Sequence, residues 1–126
     1  MKERYRVGHL ESVNPNDPRG STREWKFPDG HQITVYERYA GHKFGGHYHT
    51  GSDPSKRPER LYIVTGSVRV RVKKDGRTDE LILFRGDVFT IDPFVQHWME
   101  ALENTVLIEY RLGNFDPQNP DTVSVE

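Results

Sequence analysis

An all-β sandwich or barrel is the fold class that three observations predict. Apolar and polar residues alternate with period two in segment after segment, Gly- and Pro-bearing turns interrupt them at short intervals, and the apolar period of a helix is hard to find. In chain order, NPNDPRGS (14–21) reads as a loop by composition. TREWKF and HQITVYERY are strands separated by the turn Pro28-Asp29-Gly30. GGHYHT lies on a further extended segment, and Glu59 opens the strand ERLYIVT, which closes at Gly66. Between Ser67 and Lys74, Val68, Val70 and Val72 alternate with Arg69, Arg71 and Lys73, the pattern of a strand with one buried and one wet face. Asp75-Gly76 tolerates the positive φ angles of a tight hairpin, so the chain is expected to return as the strand TDELILF. QHWMEAL and TVLIEYR form a later pair joined at Glu103-Asn104. From Leu112 onward the chain reads as a polar tail that is disordered, packs over its own barrel, or reaches a neighbouring subunit through TVSVE.

At 126 residues the chain is expected to be one domain with a core of its own. A net charge of -1 supplies no strong field for nucleic acid or an anionic membrane, so a small molecule is the expected partner. The absence of cysteine excludes disulfides, thiolate nucleophiles and cysteine-rich zinc sites. MKERYRVGHL has no apolar stretch of signal length and no segment approaches a membrane span, so a cytoplasmic location is expected. The basic stripe Arg69, Arg71, Lys73 and Lys74 reads as a solvated strand face that discourages edge aggregation.

His47 and His49 carry the chemistry. Alternate side chains of a strand share a face, so the two imidazoles aim together and can grip one ion. His97 offers a third imidazole, and Glu59, on the face of Leu61 and Ile63, offers a carboxylate. Such a nitrogen and oxygen set suits a divalent transition metal: zinc, iron, nickel, cobalt or manganese.

The run from Glu59 through RLYIVT to Gly66, and GDVFTIDPFVQH from Gly86 to His97, resemble the two motifs of the cupin superfamily. The resemblance covers about Tyr36 to Arg111. It implies a cupin-type double-stranded β-helix, a jelly-roll barrel, with a core over 31–111, a tail over 112–126 and a metal held by His47, His49, Glu59 and His97. GGHYHT and the tail phrase NFDPQNPDT are similar to the C-terminal cupin domain of capsular-polysaccharide reductase/epimerase enzymes. More loosely, Gly45, His47 and His49 match the Gly-x-His-x-Gln element of the dTDP-4-keto-sugar 3,5-epimerases. These likenesses imply an epimerase or isomerase of nucleotide-linked keto sugars in surface-polysaccharide biosynthesis. They also imply a homodimer built through Met1 to Val13 or Thr122 to Val125. The chain departs from the family in three places. Nine residues, TGSDPSKRP, separate His49 from Glu59, where the family usually has far fewer, which makes Asp53 the weaker substitute ligand. Phe94, after Pro93, stands where glycine is usual, and Ala101 replaces a frequent asparagine.

Four protein ligands on a six-coordinate ion would leave room for a bidentate substrate. In the 3,5-epimerases the histidine matching His47 is a general base, and a nitrogen that binds metal cannot also take a proton. The base is therefore sought elsewhere. Tyr110 is the first choice because it shares a face, expected to be inward, with Val106 and Ile108. His42 follows, with Lys43 and Tyr36 as weaker choices. Two other classes stay open: a metal-dependent oxygenase, and a non-catalytic metal- or sugar-binding module.

Overall fold

Period-two alternation sorts the chain into strands whose apolar faces must be covered, and two sheets achieve this by packing face to face. The computed structural model describes residues 4–113 and 120–126, so most of the tail phrase NFDPQNPDT lies outside the described residues. Its strands are β1 (Thr22–Lys26), β2 (Gln32–Arg38), β3 (Lys43–Tyr48), β4 (Glu59–Thr65), β5 (Ser67–Lys74), β6 (Arg77–Phe84), β7 (Val88–Ile91), β8 (Gln96–Ala101), β9 (Thr105–Arg111) and β10 (Val123–Ser124). One sheet has the order β1-β2-β9-β4-β7 and the other β10-β3-β8-β5-β6. Every pairing is antiparallel. Among the described residues no helix is long and apolar enough to cross a membrane.

The all-β expectation holds, and strands stand where alternation placed them, to within a residue or two at their ends. The β5–β6 hairpin turns on Asp75 (φ 52°) and Gly76 (φ 75°), with Lys74 opposite Arg77. Val68 and Val70 are fully buried and pack with Leu61, Ile63, Leu83, Ile91, Met99 and Leu107 between the sheets. Each large side chain so buried contributes about 1.5–3 kcal/mol.

Strand β9 departs from expectation. Thr105, Leu107, Glu109 and Arg111 are its buried positions, so Val106, Ile108 and Tyr110 stand on the other face. Apolar residues occupy both parities at 106–108. The register is decided by Leu107, which enters the core, and by Glu109 and Arg111, which find charged partners inside. The tail packs on its own sheet: Val123 lies opposite Tyr48 and Ser124 opposite His47, and Val125 N donates to Gly46 O at 2.8 Å.

The 14–21 loop is pinned against β2. Glu37 N donates to Ser21 O at 2.9 Å and Tyr39 N to Arg19 O at 2.8 Å. Between them, Gly20 (φ 142°) lies so close to β2 that a Cβ there would sit 1.9 Å from Glu37 O. Gly30 also has a positive φ, 87°, but faces open space. Gly30→Ala should therefore cost about 1 kcal/mol, the left-handed penalty alone. Gly20→Ala, which adds a backbone clash, should cost about 3 kcal/mol. Urea denaturation of both variants checks the order, and equal costs would refute the contact.

Candidate metal centre

A kink in β3 brings two histidines together, their rings at right angles. Gly45 (φ 81°) and Gly46 (φ 71°) take conformations that L side chains rarely adopt, and the β3–β8 register shifts between Gly45 and His47. A Cβ on Gly45 would stand 3.0 Å from His97 O, so glycine is what permits the close approach. His47 ends directly opposite His97, with His49 two residues further on. Ring centroids are 4.6 Å apart for His47–His97, 4.8 Å for His47–His49 and 5.4 Å for His49–His97. One nitrogen from each ring lies within 4.8 Å of the others. Glu59 enters from β4 of the opposite sheet, its Oε2 2.8 Å from His49 Nε2 and 3.8 Å from His97 Nε2.

Hydrogen bonds decide which ring nitrogen is free. His49 Nδ1 lies 2.6 Å from Asp121 O, and His97 Nδ1 lies 3.0 Å from Val95 O. A carbonyl can only accept, so both Nδ1 atoms carry a proton, and in the neutral ring that leaves the Nε2 lone pair for an ion. His49 Nε2, His97 Nε2 and Glu59 Oε2 are buried without a hydrogen-bond partner among the described residues. The 2.8 Å approach of His49 Nε2 to Glu59 Oε2 makes no aligned hydrogen bond, and a cation between the two atoms would be held by both.

Electrostatics point the same way. Burial, reinforced by the neighbouring imidazoles, pushes His47 down to about 4, and burial also lowers His97 despite the pull of Glu59. Both rings stay neutral near pH 7 and can donate to an ion. Burial alone would raise the Glu59 carboxyl, but the His49 contact and the Lys56 ammonium outweigh it and hold the acid well below the usual carboxylate range. Three convergent imidazoles and an ionised carboxylate fit a divalent transition ion.

The nine-residue segment between His49 and Glu59 contributes more than length. Asp53 accepts from Ser55 N at 2.9 Å and caps a single 3-10 turn, Pro54–Lys56. Its other oxygen accepts from Arg111 Nη2 at 2.6 Å, so Asp53 anchors the loop instead of joining the histidines. The turn drives Lys56 into the barrel, where its Nζ lies 3.6 Å from Glu59 Oε1 and bonds Glu109. Tyr36 OH donates to Glu109 Oε1 at 2.8 Å. A cavity of about 230 Å³ is lined by His47, His49, Glu59, Lys56, Tyr36 and Glu109, among others.

The first-choice bases lie elsewhere. Tyr110 stands on the outer face of β9, 2.7 Å from His31 Nδ1, because Leu107 and Glu109 took the inner positions. His42 precedes β3, five residues before His47 and about 15 Å along an extended chain. Lys43 is exposed, whereas Tyr36, ranked behind it on sequence, lines the cavity. Sequence reasoning missed Lys56, Glu109 and Asp121. Glu109 could have been found from its shared parity with Leu107, but nothing in the composition of a loop marks Lys56 as buried.

No protein-family model matches the chain and no curated protein matches it in sequence. Solved structures do. The capsular polysaccharide assembling protein CapF from Staphylococcus aureus superposes with a TM-score of 0.79 at 27% identity, over 95% of this chain and 33% of that one. CapF with the inhibitor 3-isopropenyl-tropolone gives 0.72 at 29% identity, over 87% and 33%. An oxalate decarboxylase from Bacillus subtilis gives 0.69 at 21% identity, over 97% and 34%, and shares the fold. The chain therefore spans about a third of the length of these structures. With two antiparallel sheets and these neighbours, it has the fold of the cupin superfamily. Its cluster of His47, His49 and His97 is one that could hold a metal ion.

The tail is tied to this centre through Asp121. Its carboxylate accepts from Thr50 N and Thr50 Oγ1, each at 2.7 Å, from Gly51 N at 2.8 Å and from Asp53 N at 3.1 Å. Burial would raise this acid, but those donors, Thr50 first, bring it down to about 2. The folded value lies below the unfolded one, so the stabilisation is present above about pH 4 and is lost as pH falls towards 2. Asp121→Asn should cost about 2 kcal/mol at pH 7 and much less at pH 2.5. Denaturation of both proteins at the two pH values checks this, and a pH-independent difference would refute it.

Proposed function

We propose that the chain is a metal-dependent enzyme that moves a proton beside a carbonyl group. Its reading is an isomerase or epimerase of a nucleotide-linked keto sugar. One observation carries this: the histidine and carboxylate cluster shares a cavity with the acid–base groups Tyr36, Glu109 and Lys56. The likeness to the capsular polysaccharide assembling protein CapF supports the sugar class. A bound divalent ion would supply Lewis acidity towards a carbonyl oxygen. His47, His49, His97 and Glu59 are the residues that would hold it.

Burial and the Glu109 charge push the Tyr36 phenol well above its ordinary value, so it keeps its proton at neutral pH and serves as the acid. Glu109, steadied by the Lys56 ammonium and the Tyr36 hydroxyl, is the acceptor. A proton leaving the carbon beside the carbonyl passes to Glu109, Tyr36 returns one, and the hydrogen bond between them resets the pair. Tyr36 and Glu109 stand on neighbouring strands of one sheet, with Thr34 of β2 opposite Glu109. That one-walled arrangement serves a proton shift along one face of the substrate, isomerisation, more directly than inversion.

In heavy water, the metal-loaded protein should therefore place deuterium beside the carbonyl of a nucleotide-linked keto sugar. Tyr36→Phe should slow exchange about 100-fold with metal content unchanged. Exchange in Tyr36→Phe at the wild-type rate would remove Tyr36 from the reaction. A panel of keto sugars that binds the loaded protein without exchange would replace the enzyme with a binding module.

A further inference from the structure

Arg38 is a buried cation with no carboxylate in hydrogen-bond contact among the described residues. Only 4% of the residue is exposed. Nη1 donates to the carbonyls of Ser21, at 3.0 Å, and Glu37, at 2.9 Å, while Nη2 donates to Thr22 Oγ1 at 3.2 Å. All three partners are neutral oxygens, and Nε has no partner among the described residues. A guanidinium stays charged at any physiological pH, and a buried charge normally finds a counter-charge. Here burial and the nearby Arg19 work against the cation more than Asp17, itself bound to Arg19 2.8 Å away, supports it.

The surroundings of Arg38 are those of a binding site. Its guanidinium carbon lies 5.0 Å from the Tyr36 ring centre and 5.7 Å from that of Phe44. Arg38, Arg19 and both aromatic rings line a second cavity of about 180 Å³, together with His47 and Glu59 of the metal centre. Leu61, Met99 and Leu107 supply apolar wall. The volume holds about six water-sized groups, enough for a small acid or one charged substituent of a larger ligand.

We propose that this cavity is an anion subsite, in which Arg38 receives a carboxylate or phosphoryl oxygen of the ligand that the metal centre acts on. An anion there faces a guanidinium whose charge is only partly offset and whose Nε–H is unspent among the described residues, a complement that a neutral ligand lacks. The idea deepens the proposed function and rests on it only for the ligand's reacting end, because the charge at Arg38 needs no metal.

The test follows the Arg38 Nε–H resonance of the ¹⁵N-labelled full chain during titration with malonate, inorganic phosphate and neutral malonamide. The titrations are run on protein as purified and again after chelation. Malonate or phosphate should shift the resonance saturably in both states, and malonamide should not; the tighter of the two anions assigns the charged group. Arg38→Gln should weaken anion binding at least about tenfold, with Arg38→Lys retaining part of it. The wild-type resonance is read without either variant, so the result does not depend on how they fold. No saturable shift, an equal response to malonamide, or unchanged binding in Arg38→Gln would overturn the proposal. A shift seen only before chelation would also overturn it, because the anion would then sit on the metal. A chain that purifies without metal would count against the enzyme reading and leave this test intact.

Discussion

Two backbone carbonyls, those of Val95 and Asp121, determine what the centre of this barrel can do. Each takes the Nδ1 proton of a buried imidazole and so leaves the Nε2 lone pair of His97 or His49 pointing inward. Neither carbonyl belongs to the strand that carries its partner histidine to the site. Val95 sits in the turn before β8, and Asp121 arrives from the tail, 72 residues beyond His49 in sequence. The Asp121 carboxylate is simultaneously grasped by the backbone of Thr50, Gly51 and Asp53. Tail, loop and histidine are one hydrogen-bonded unit, and β10 lies along β3 as its continuation.

The barrel interior is divided in character. Ile63, Val68, Val70 and Leu107 form a dry region, while Glu59, Glu109, Lys56, Arg38 and Arg111 are buried charges. Such charges are expensive to desolvate, and all of these but Arg38 stand beside an opposite charge. Lys56 is that charge for two carboxylates at once, which explains why the family's short connection is replaced here by a capped turn. The lysine also occupies the outer oxygen of Glu59 and leaves Oε2 facing the imidazoles. Positioning of this kind by neighbouring groups commonly separates a functional centre from a loose cluster of donors.

Legibility from sequence followed the clarity of the alternation. Val68–Lys73 was transparent because its apolar and charged residues never share a parity, and the Asp75-Gly76 turn followed from backbone sterics alone. His47, His49 and Glu59 were aimed correctly by the same argument. β9 was not readable in this way, since Val106, Leu107 and Ile108 are all apolar and the inward polar residues had unseen partners. Taking the face of Val106 and Ile108 as inward chose the wrong side of the strand and drew attention to Tyr110. Phe94 is a different lesson. Where the family usually has glycine, this chain holds phenylalanine at φ 67°, so the backbone shape survived a residue that fits it poorly. Its N–H donates to His49 O at 2.7 Å, a contact that ties the strained turn to the centre.

The most direct test of this account is a crystal structure with anomalous diffraction collected at the absorption edge of the metal found in the purified protein. One peak should lie between the three imidazoles, about 2.0–2.3 Å from Nε2 of His49 and of His97, with both Nδ1 atoms still on their carbonyls. A fully metal-loaded protein with no peak there, or with the ion bound through Nδ1 of either histidine, would contradict it.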